Sequence, residues 1–258
     1  MGLLCEQYSL TGQEGEGDSI SSVYGRARMA LRLIRLLNFI LLHIKRMGVA
    51  MDTNRITGLA LIICPVLAMI GYLSFGFIAL NGTGPDDPQK WIGELGANST
   101  GVKYLFPVMT LLFLIAIGAI GYIKNSMEGG PGHYLAGFGW FLIIIGAAGQ
   151  LGETAFTVAT AEAAHDANIA VASSMFAGAQ AIGAITTAIS MLGFALVGVG
   201  ILQQKNFSPI VAGLMIITGI YTVAMCLIDY ESQLIAIGYL GITVSFVGLG
   251  VGLLTKKK

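Results

Sequence analysis

Long uncharged runs alternate along this chain with short polar connections. They cover Thr57–Leu80, Tyr104–Ile123, Tyr134–Gly152, Ile169–Gln204, Asn206–Ile228 and Ser232–Thr255. A bilayer core of about 30 Å takes about 20 residues of helix to cross. Five of the six runs meet or approach that length, and Ile169–Gln204 exceeds it. Lipid offers the backbone no hydrogen-bond partners, so apolar runs of this length read as helices. Strands of a membrane barrel would alternate in segments of about 10 residues, a pattern these runs lack. The pattern predicts an all-α integral membrane protein, a bundle of six transmembrane helices.

Punctuation within the pattern refines it. Pro65 lies inside the first run and predicts a kink. Ser208-Pro209 reads as an N-cap followed by proline at the first helical position. Asp87-Pro88 starts a short helix in the first connection, with Gly96 as its stop. Trp91, Ile92 and Leu95 share one face of that helix, predicted to lie on the membrane surface or cap the bundle. Tyr104, Tyr122, Tyr134 and Tyr230 stand at run ends, where interfacial aromatics belong. The 36 glycines are about twice ordinary usage. Inside the runs they suit close helix packing, with a glycine-lined solute path as the alternative.

Charge adds an orientation. Charged residues make up 11% of the chain, against about 25% in soluble domains. Arg55, the even-numbered connections and the C-terminus together hold six basic residues and one acid; the odd-numbered connections, Glu153 set aside, hold two basic residues and seven acids. Lysine and arginine accumulate on the cytoplasmic side. Both termini are therefore expected to be cytoplasmic, in the cytoplasmic (plasma) membrane of a bacterium or archaeon. The partner this implies is the lipid bilayer, with other membrane subunits as further candidates. No basic surface suits nucleic acid.

The first fifty residues read differently. Residues 1–25 are polar and Gly/Ser/Glu-rich, which predicts disorder. Residues 26–50 hold Arg28, Arg32 and Arg35 at helical spacing among leucines and isoleucines. That is a basic amphipathic helix suited to an anionic leaflet. A start at Met47 or Met51 is the competing expectation, and residues 51–258 then form the six-span domain.

Candidate chemistry centres on a few polar residues. Gln150, Glu153, Thr154 and Thr157 would share a helix face at the end of the third run. Ionisable residues at membrane depth usually face the bundle interior and serve function. Glu153 is accordingly a candidate proton or cation site. The first expectation for it is a solvated carboxylate near the outer surface, and a third reading is a carboxylate bonded to a neighbour such as Gln180. Gln150, Glu153 and Gln180 form a candidate internal polar track. Glu94, His165 and Asp166 join Glu153 as a candidate external mouth, with Glu162, Asp229 and Glu231 on the same side.

No metal site is expected, since zinc usually takes several His or Cys ligands at fixed spacing. No cofactor motif is present either. The chain lacks a Walker-type loop, an HExxH pair and a Gly-x-Ser-x-Gly elbow. The last two runs contain no lysine for a retinal Schiff base.

Ile92-Gly93-Glu94-Leu95-Gly96-Ala97 in the first outer connection, and His165 before the fourth run, carry a family likeness. Across about residues 55–254 the chain resembles the six-helix family catalogued as domain of unknown function (DUF) 998. That family usually has serine where Gly93 stands. A more distant likeness is to the DRAM-type six-helix family. The resemblance implies a six-helix bundle with a polar external mouth and brings no defined reaction. The expectation is a non-enzymatic multi-pass protein that binds, senses or builds a membrane complex. A small transporter or channel around Glu153 is the alternative, and a membrane-embedded lipid hydrolase using His165 comes third.

Overall fold

A computed structural model describes residues 52–255 of the chain. The readings for residues 1–25 and 26–50 lie outside the described residues. Within them the elements are α1 (Thr53–Ser74), continued by a π-helical turn at Phe75–Ala79, then α2 (Pro88–Ala97) and α3 (Ser99–Asn125). They are followed by α4 (His133–His165), α5 (Ile169–Gln204), α6 (Pro209–Ile228) and α7 (Ile235–Thr255). Six of these helices are long and apolar enough to cross a membrane; α2 is not.

Each long helix packs against its neighbours in sequence, and α7 returns to α1. The result is a closed ring of six helices. Ile56, Leu59, Ile63, Leu67 and Ile70 form an exposed stripe down α1 at three- and four-residue spacing. Comparable exposed apolar side chains cover the other helices. Such a surface suits lipid tails rather than water.

The helices extend further than hydropathy indicated. α4 spans 33 residues and runs through Ala159-Thr160-Ala161-Glu162-Ala163-Ala164 to His165, a stretch rich in strong helix formers. Hydropathy falls there while helix propensity does not. At 1.5 Å per residue α4 is about 50 Å long, against about 30 Å for the 20 residues of α6. α3 similarly starts at Ser99, ahead of Tyr104, whereas α7 is shorter than its run and starts at Ile235, after Ser232.

The projecting part of the α4–α5 hairpin has a roof. α2 packs on both helices. Asp87 caps α2 by accepting from the Lys90 amide at 3.3 Å, and Pro88 occupies its first turn. Ile92 and Leu95 are buried and Trp91 is half-buried. The predicted apolar face of this helix therefore caps the bundle. The helix ends at Ala97, one residue past the expected Gly96 stop, where the Gly96 backbone lies against Ala164 and His165.

α4 and α5 meet along a glycine seam. Gly132, Gly139 and Gly146 recur every seventh residue and face Gly200, Gly193 and Ser190. A methyl on Gly132 or Gly139 would strike the backbone of Gly200 or Gly193. Small residues let the helix backbones touch, and dispersion contacts then hold the pair. The next position in this repeat is Glu153.

The ring interior is filled unevenly. Toward the chain-terminal end it is packed by Phe194, Phe246, Ile120, Ile143, Met191 and Leu61. Phe246 stacks on Phe113 with ring centres 6.0 Å apart and meets Phe194 edge-on at 5.2 Å. Toward the α2 end the interior is hollow.

Candidate functional site

Two cavities occupy that hollow. The larger holds about 310 Å³ and is bordered by α1, α3, α4 and α7, with Phe113 among its walls. The smaller holds about 150 Å³ and lies beneath α2, where Trp91 and Leu95 line it. Both are lined by Phe106, Glu153, Thr157, Tyr230 and Ile235. Glu153 is half-buried, and what surface it retains faces these spaces.

Glu153 reaches this position because the glycine seam changes character at its level. On α5, Gly183 stands opposite: a methyl there would come within 2.6 Å of the Glu153 carboxyl and of the Tyr230 hydroxyl. The missing side chain at 183 is the room the carboxyl occupies. Tyr230 belongs to the short connection between α6 and α7. Its hydroxyl donates to Glu153 Oε1 at 2.9 Å and lies 3.4 Å from the Thr187 hydroxyl. Thr187 is in turn 3.0 Å from the Tyr239 hydroxyl. Burial holds the Tyr230 phenol well above its ordinary pKa, so it remains a donor at neutral pH.

A second polar string runs across the larger cavity. Tyr72 Oη is 3.2 Å from Thr110 Oγ1, which is 2.8 Å from Thr154 Oγ1. Thr157 donates back to the Glu153 carbonyl at 2.9 Å, a local bond that keeps its hydroxyl on the helix. No lysine, arginine or histidine lines either cavity, and no basic side chain pairs with Glu153 among the described residues.

The residues of the expected polar track border this hollow. Gln150 and Glu153 line the larger cavity, and Gln180 and Glu153 line the smaller. Gln180 does not bond to Glu153; its Oε1 is buried without a hydrogen-bond partner. Glu153 and the residues of the expected external mouth are separated. His165 lies 12 positions further along α4, about 18 Å away. His165 and Asp166 are exposed at the hairpin tip. Glu94 accepts from Asn81 at 3.1 Å, and Glu162 pairs with Lys103 at 2.7 Å. No cluster of three or more potential metal ligands occurs among the described residues.

Tyr230 departs from the interfacial role expected of it. Tyr104 and Tyr134 are exposed at helix ends, as anchors would be, whereas Tyr230 turns inward onto the carboxylate. The sequence signal for this is slight: Tyr230 sits in a short, charged connection, flanked by Asp229 and Glu231. Neither a family model, a curated protein nor a solved structure matches this chain.

Proposed function

We propose that this multi-pass membrane protein binds a small solute inside its helix ring, with Glu153 as the polar centre of the site. One observation carries the reading: a single carboxylate borders both the cavity beneath α2 and the larger one deeper in the ring. A ligand pocket typically measures about 300–1,000 Å³ and combines apolar walls with a few placed polar groups. The larger cavity has that size and lining. The aromatic packing of Phe113, Phe246 and Phe194 closes its far end, so binding or sensing fits this arrangement better than an open channel. The acidic excess in the odd-numbered connections supports an outward-facing α2 end, where the solute would enter. The likeness to DUF 998 rests on Ile92–Ala97 and His165 and adds a six-helix frame to this reading.

Cysteine accessibility tests it. Thr154 lines the larger cavity. In a background with Cys5, Cys64 and Cys226 replaced by alanine, Thr154→Cys should react with a small methanethiosulfonate reagent added from the α2 side. It should not react from the other side. A Thr154→Cys thiol that reacts from neither side in folded protein would make the cavity a sealed packing defect and end the proposal.

A further inference from the structure

Resting on the reading of the hollow as a solute site, we infer that its ligand is an organic ammonium ion: a protonated amine carrying an apolar, preferably aromatic, body. The lining argues this by what it accepts and what it omits. Glu153 brings a carboxylate, and among the described residues only the Tyr230 hydroxyl hydrogen-bonds to it. Gln180 lines the smaller cavity, and its Oε1, buried without a partner among the described residues, is a second acceptor. A buried acceptor left unpaired is costly, and an N–H donor from a ligand relieves that cost.

Anions find no counterpart among the described residues, where no lysine, arginine or histidine borders either space. With an uncharged solute Glu153 is neutralised by a proton or left unpaired, whereas an ammonium ion supplies the counter-charge itself. The remaining walls suit the body of such a cation. Tyr72, Phe106, Phe113 and Tyr239 border the larger cavity, together with Met69 and Leu73. Aromatic faces attract cations, most strongly where water is excluded. The ammonium head would sit at Glu153, with N–H donors directed at its carboxylate, and the body would extend into the larger space. The volume of about 310 Å³ limits the ligand to a small molecule.

The test uses the full chain in lipid nanodiscs and radiolabelled 2-phenylethylammonium at neutral pH. Three competitors follow: unlabelled 2-phenylethylammonium, the neutral 2-phenylethanol and the anionic phenylacetate. Saturable binding should be displaced by the ammonium ion alone and weaken at least about tenfold in Glu153→Gln, where the shape is kept and the charge lost. Gln180→Leu should weaken it by a smaller factor. Thermal unfolding of each variant establishes that it is folded. Equal displacement by 2-phenylethanol, unchanged affinity in folded Glu153→Gln, or no saturable binding would overturn the assignment. Failure here with a reactive Thr154→Cys leaves the cavity reading intact and discards only the ligand class. An unreactive Thr154→Cys removes both.

Discussion

Replacing Gly183 by alanine probes the centre of the site with a single methyl. In most helices this exchange is favourable, worth about 0.8–1 kcal/mol of helix propensity. At 183 the new Cβ would stand 2.6 Å from the Glu153 carboxyl carbon, from Oε1 and from the Tyr230 hydroxyl, where ordinary contacts begin at 3.4 Å. Those groups have to retreat by about 0.8 Å, since dispersion wells turn steeply repulsive at such separations. A retreat of that size directed along the 2.9 Å Tyr230–Glu153 hydrogen bond would stretch it beyond bonding range. Its loss costs about 0.5–3 kcal/mol, with ionised acceptors at the upper end. Overpacking adds about 1–3 kcal/mol. Against the propensity gain, the expected net loss is about 0.5–5 kcal/mol, read as a fall of about 1–20 °C in Tm for a domain of this size.

Thermal unfolding of the detergent-solubilised protein measures it, with Gly118→Ala as the control. Gly118 lies mid-helix in α3 with nothing within 4 Å of its added Cβ, so that variant should match or exceed the parent Tm. In a Glu153→Ala background the new methyl meets one group fewer, and the Gly183→Ala penalty should shrink. A Tm for Gly183→Ala that rises alongside Gly118→Ala would refute the claim that position 183 is empty to house the carboxyl.

Three further outcomes follow from the same geometry. Gly139→Ala directs its methyl at the Gly193 carbonyl at 2.6 Å and the Val197 amide at 2.9 Å; backbone cannot yield as side-chain tips do, so the Tm loss should equal or exceed that of Gly183→Ala. The folded state holds the Tyr230 proton above the ordinary tyrosine pKa of about 10. Above that pH the unfolded chain binds fewer protons than the folded one, and stability is lost as pH rises; Tm should therefore fall less steeply above pH 10 in Tyr230→Phe than in the parent. Glu162→Gln breaks the Lys103 pair, whose two side chains are 53% and 50% exposed, so it should change stability by less than about 1 kcal/mol, measured by the same melts.

The long helices were legible because lipid leaves a chain few alternatives, and the runs that fill a bilayer are visible without any tertiary information. Their ends were less so. The last turns of α4 leave the apolar layer and continue on alanine and glutamate, where hydropathy reports nothing. Glu153 stood out as a carboxylate next to an uncharged run, and Gln150, Thr154 and Thr157 lie on its face of the helix. Tyr230 and Gly183 did not stand out. A tyrosine at a run end has the same local sequence whether it anchors at the interface or turns inward, and one glycine among 36 acquires meaning only from what stands opposite. Heptad spacing of Gly132, Gly139 and Gly146 was present in the sequence, but its partner positions on α5 depend on the register between two helices.

The glycine seam has a mechanical consequence. Backbones that touch at Gly132–Gly200 and Gly139–Gly193 cannot slide past one another without driving side chains into main chain. α4 and α5 therefore act as a fixed post, and Glu153 is mounted on it. The opposite wall is fastened differently: α1 and α7 touch closely at Gly58 and Gly250, toward the chain-terminal end, whereas near Tyr72 and Tyr239 they border open space. The carboxylate thus stands on the side of the hollow whose helices touch backbone to backbone, facing a wall that does so only at its far end.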